Sequence, residues 1–141
     1  MGQGDRKMEK LKLLYTEYAR QLEEAREKAP KFSGILGIGD VVKNHPCHQA
    51  FYEGVGRWTE EFLASEPSEA DTVLAVRQIL EQGAGDGGTS WYCVAAQGHA
   101  KPLISRLSRE NRQQLLDWYQ TLYPRRKRLP VQEDVCRLLK K

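Results

Sequence analysis

Apolar residues in this chain recur every three or four positions, in runs that prolines and glycines cut short. That pattern restricts the fold to separate helices packed on one another. Spacing of this kind puts one apolar stripe on each segment, and no stretch shows the sustained alternation of a half-buried strand. The first segment, Asp5 to Ala29, carries Met8, Leu11, Tyr15, Tyr18, Leu22 and Ala25 at helical spacing, and Pro30 closes it. The stretch KFSGILGIGD that follows reads as a packed loop. Asn44 or His45 then caps a second helix with Pro46 at its first position, and Cys47, Phe51, Val55, Trp58 and Phe62 form an aromatic-rich stripe along it.

Ser68, with Asp71 three residues later, starts a third helix through Val73, Leu74, Val76, Ile79 and Leu80, which stops at GAGDGG. Residues 83–88 are expected to be a flexible glycine-rich loop. Ser90 caps a short helix through WYCVAAQ ending at Gly98, and Pro102 opens another through Leu103, Ile104 and Leu107. Ser108 begins a longer helix with Leu115, Leu116, Trp118, Tyr119 and Leu122, which Pro124 terminates. Pro130 starts the last, with Val131, Val135, Leu138 and Leu139 inward. These segments predict an all-α protein, an irregular bundle of about five longer helices plus one or two short ones. A length of 141 residues suits one domain over 1–141, with residues 1–4 expected to be disordered.

No window approaches the roughly 18 apolar residues of a membrane span. The polar start MGQGDRKMEK lacks a signal peptide's apolar segment, so a cytoplasmic location is expected. Gly2 does not read as a myristoylation acceptor, because Arg6 stands where that pattern wants Ser or Thr. Three scattered cysteines, Cys47, Cys93 and Cys136, cannot close a disulfide framework and read as reduced thiols.

Candidate chemistry is sparse. His45, Cys47 and His48 stand within four residues, and Cys93, His99 and Cys136 are further metal-ligand types, but structural zinc sites bring paired ligands from two knuckles. Cys47 begins the aromatic stripe, so its thiol is expected inward while His48 points about 100° away. His45 and His48 can still share a face and form half of a site. An imidazole can also activate a thiol, which makes Cys93 with His99 and Cys47 with His48 candidate pairs, although Cys93 among Trp91, Tyr92, Val94 and Ala95 reads as a buried hydrophobe. Neither GILGIGD nor GAGDGG carries the lysine and hydroxyl of a P-loop or the spacing of a dinucleotide fingerprint. Carboxylates such as Glu60, Glu61, Glu66, Glu69 and Asp71 read as solvated helix faces.

The formal charge of +3 conceals a contrast: residues 1–98 sum to −4 and residues 99–141 to +7. Arg125, Arg126, Lys127 and Arg128 run consecutively, and such a cluster suits nucleic-acid phosphates, with Trp118, Tyr119 and Tyr123 as possible stacking partners. Alternatively the basic end packs across residues 45–98, whose charge is −6. The seam at 8–25 allows pairing of first helices in a weak homodimer, against docking of that helix onto its own bundle in a monomer. Together these features favour a non-catalytic interaction module without a cofactor, its partner expected to be a protein. Two other readings stand beside it: a nucleic-acid-associated protein using Arg125–Arg128, and a metal-dependent enzyme or sensor around His45 and His48.

Overall fold

Side-chain caps and prolines mark most of the helix starts. The computed structural model describes residues 2–28, 45–82 and 90–141. Over these the chain forms α1 (Gly2–Lys28), α2 (Pro46–Ala64), α3 (Glu69–Glu81), α4 (Ser90–Ala96), α5 (Lys101–Ile104), α6 (Arg109–Leu122) and α7 (Pro130–Lys140). His45 caps α2, its Nδ1 accepting from the Cys47 amide at 3.1 Å with Pro46 next in line. Ser68 and Ser108 accept from the amides of Asp71 and Asn111, so α3 and α6 start where a hydroxyl satisfies an otherwise orphaned donor. Before Pro130, the Leu129 amide donates to the Gln132 side chain at 2.9 Å.

The fold is an all-α, bundle-like one, with no strand among the described residues. The five longer expected helices are α1, α2, α3, α6 and α7; α4 and α5 are the short ones. Three boundaries move. Helix α1 begins at Gly2, three residues before the Asp5 start read from the sequence; once a helix is nucleated, adding a residue requires no new nucleus. Ser90 is the first residue of α4 rather than its cap. Gly98 does not end the helical path, because Gln97–Ala100 continue it as a 3-10 turn into α5. The loops expected at 31–40 and 83–88 lie outside the described residues. Among the described residues no helix is long and apolar enough to cross a membrane.

Helices α1 and α2 pack antiparallel. Near one end the Trp58 indole donates to the Lys7 carbonyl at 2.8 Å, and near the other the Tyr18 hydroxyl meets His48 Nδ1 at 2.7 Å. Between these contacts Leu11, Tyr15, Tyr18 and Leu22 are buried with Phe51, Val55, Trp58 and Phe62, and Tyr18 stacks on Phe51 at 4.2 Å. The seam positions Leu11, Tyr15, Tyr18 and Leu22 are therefore covered within the chain, chiefly by α2.

The 3-10 turn packs against α2, α3 and α7. Buried Ala96 and Ala100 let these elements approach closely, and Gln97 is fully buried. Its Oε1 accepts from the Tyr119 hydroxyl at 2.6 Å, and its Nε2 donates to the Gln82 carbonyl and the Tyr123 hydroxyl. Tyr123 in turn donates to the Leu80 carbonyl at 2.7 Å. Every polar atom of the glutamine is thus paired, and the network joins the end of α3 to α6.

Helix α3 turns Thr72, Ala75, Val76, Ile79 and Leu80 inward and leaves Leu74 exposed, since one helix can bury only one arc. In α7 Gln132 and Cys136 are buried with Val135 and Leu139, while Val131 and Leu138 are only half-buried.

Candidate functional site

The histidines do not converge on a ligand. His45 Nδ1 is engaged as the α2 cap, and His48 is buried, bonded to Tyr18 and stacked on Tyr92 with ring centroids 4.3 Å apart. His48 was expected to point away from the core. It is buried together with Cys47 because α4 covers a second flank of α2, which widens the buried arc beyond the aromatic stripe. Among the described residues no three His, Cys, Asp or Glu side chains gather where they could share a metal ion.

All three thiols are buried, and burial raises the pKa of each, Cys93 to about 11. At neutral pH they are protonated, and it is the thiolate that attacks. His99 does not serve Cys93 as a base: its ring packs on Tyr52, 4.4 Å between centroids, and against Gly56.

The basic end is divided. Arg125, Arg126 and Lys127 form a 3-10 turn and are exposed, with no ion-pair partner among the described residues. Arg128 is turned inward: its side chain is 7% exposed, Nε donates to the Tyr123 carbonyl at 2.8 Å, and Nη1 lies 3.8 Å from Glu133. It anchors the turn that presents the other three. The stacking platform expected beside them is absent, because Tyr119 and Tyr123 are buried and Trp118 is half-buried beneath the Arg77 guanidinium.

Nor do the described residues of the acidic stretch 45–98 form ion pairs with the basic end. Among the described residues the ion pairs of 99–141 are Lys101 with Asp134, Arg137 with Asp134, and Arg128 with Glu133, all internal to that segment. Contacts across the boundary take other forms, such as Arg77 on Trp118 and the Glu69 carboxylate accepting from the Ser108 amide, a bond that lowers the Glu69 pKa.

Between α1 and α2 lies an open groove about 540 Å³ in volume. Its floor is Leu14, Phe51, Gly54 and Trp58, and its rim carries Lys10, Glu17, Arg57 and Glu61. Leu13 stands at its edge with 62% of its surface exposed, the most exposed large apolar side chain of the described residues. Gly54 makes the floor: a Cβ there would stand 3.1 Å from Leu14 Cδ2, so the absence of one lets Leu14 settle onto α2. No protein-family model, curated protein or solved structure matches the chain. Function is therefore argued from this geometry. Sequence periodicity singles out Tyr18, Cys47, Phe51 and Trp58 among the groove residues but passes over Leu13, Leu14 and Gly54; the available signal was Leu13-Leu14, two leucines beside a seam that already has Leu11.

Proposed function

We propose that this protein is a non-catalytic interaction module that holds a helix of a partner chain in the α1–α2 groove. The observation that carries the reading is Leu13, a large apolar side chain held in water beside an open apolar floor with charges of both signs on its rim. Apolar floors with charged edges suit an amphipathic helix, whose apolar side chains supply the area and whose flanking charges set the register. Protonated thiols and engaged histidines support a non-catalytic role. The test is site-specific crosslinking in the producing cell. A photoreactive residue at position 13 is expected to give a defined adduct, and one at position 74, an exposed leucine of α3 outside the groove, is not. Equal adducts at both positions, or none at 13, would sink the reading.

A second reading, contact with nucleic acid through Arg125, Arg126 and Lys127, is supported by their exposure and by the absence of an acidic partner among the described residues. It predicts binding to mixed DNA and RNA at low salt that weakens steeply as salt rises and disappears when all three become Ala. Undetectable binding by the unaltered chain rejects it.

A further inference from the structure

We propose that the helix seated in the groove is α1 of a second copy of this chain, in an antiparallel two-fold pair that sets Lys10 of each copy against Glu17 of the other. This rests on the docking reading of the α1–α2 groove and names its occupant.

The argument starts from symmetry. In a two-fold interface residue i of one copy meets j of the other, and j meets i, so the stripe must be self-complementary. Lys10, Leu13, Leu14 and Glu17 satisfy that condition about a point midway between the two leucines. An antiparallel partner then sets leucine against leucine and opposite charges at each end. On α2, Ala50 keeps the groove wall low beside the leucines, and Gly54 lets Leu14 lie close on that helix, so the second copy's leucines meet Leu13 and Leu14 from the open side.

Charge along the whole helix points the same way. Residues 2–13 sum to +2 and residues 14–28 to −1, so antiparallel helices align opposite signs and opposed dipoles, whereas parallel ones align like signs. Glu17 is held on its own helix by Arg20, which also bonds Glu24, and that pairing lowers its pKa. Both residues are more than half exposed or close to it, and a pair in that setting holds its carboxylate loosely enough for a second donor to join. Arg57 and Glu61 flank the Lys10 end, near the Trp58–Lys7 contact, so an incoming Glu17 meets two cations there and one anion. The covered seam of Leu11, Tyr15, Tyr18 and Leu22 takes no part. The stripe runs only about 16 Å along α1 from Lys10 to Gln21, about three helical turns, and so short a contact makes the dimer weak and concentration-dependent.

Sedimentation of the full chain over a wide concentration range tests this. The mass is expected to climb from 16.1 kDa toward twice that value. Lys10→Glu and Glu17→Lys, each creating like-charge contacts at both ends, are each expected to weaken association about tenfold. An equimolar mixture of these two variants, or the double variant K10E/E17K, restores opposite signs at both ends and is expected to recover it. Leu13→Glu abolishes association and leaves helical circular dichroism unchanged, because the side chain is exposed. A chain that stays at 16.1 kDa to its solubility limit overturns the proposal, as do swaps that fail to rescue each other. If the position-13 crosslink joins a different protein, the second-copy inference falls while the docking reading stands; if position 13 gives no adduct, both fall.

Discussion

His99 packs its imidazole against the backbone of α2 at Gly56, where a Cβ would come within 2.9 Å of the ring. Gly56→Ala should therefore show two opposed effects, about 1 kcal/mol of gained helix propensity and about 1–3 kcal/mol of overpacking. The expected outcome in urea unfolding is net destabilisation in the natural background and net stabilisation in a His99→Ala background. Burial lowers the His99 pKa, with the Tyr52 carbonyl and Glu60 pulling the other way, and Nε2 is buried without a partner. A histidine held below its ordinary value stays neutral in the fold while the unfolded chain takes up a proton, so stability is lost as pH falls through that ordinary value near 6.5. Unfolding free energies at pH 7.5 and 5.5 should show a smaller loss for His99→Gln than for the unaltered chain. Two tyrosines give a second contrast. Tyr15 has a buried hydroxyl with no partner, whereas the Tyr18 hydroxyl bonds His48. Tyr15→Phe is expected to be neutral or stabilising and Tyr18→Phe to cost about 1–2 kcal/mol, read from thermal melts. None of these pairings is written in the local sequence, since Tyr18 and His48 lie 30 residues apart.

At the scale of elements, the caps at His45, Ser68 and Ser108 could be read from the chain because capping is a local act between residues two or three apart. The 3-10 turn at Gln97–Ala100 could not. Gly98 reads as a stop, and only packing against α2, α3 and α7, together with the paired Gln97 side chain, carries the helical path through it. The basic run divides for the same reason. Four consecutive cations look equivalent in the sequence, but the turn exposes three and directs the fourth to the Tyr123 carbonyl and Glu133. Arg128→Ala is expected to cost about 2 kcal/mol by leaving the part-buried Tyr123 carbonyl without its charged donor and removing a buried side chain. Replacing Arg125, Arg126 and Lys127 together should leave unfolding within about 0.5 kcal/mol of the natural value, because exposed side chains contribute little. Equal losses for the two variants would remove the anchoring role assigned to Arg128.

Across the whole molecule, the −4 and +7 segments are not neutralised by ion pairs with each other among the described residues. The basic turn and the α1–α2 groove consequently remain separate surfaces, each with its own test. Helix α1 shows how one element serves two ends: Leu11 is fully buried, and Leu13, two positions on, is mostly exposed. Leu11→Ala is expected to cost about 3 kcal/mol in denaturant unfolding and Leu13→Ala less than about 0.5, although the latter should weaken groove binding. The sequence alone determined the helical segments, most of their boundaries and the all-α class, because three-to-four spacing, cap hydroxyls and prolines act within one or two turns. Only the tertiary structure decided which stripe of α1 is covered and which stays open, that His48 turns inward beside Cys47, and that Arg128 anchors its turn. Those outcomes depend on residues tens of positions apart meeting across packed helices, where each buried arc is set by the neighbours and not by the segment itself.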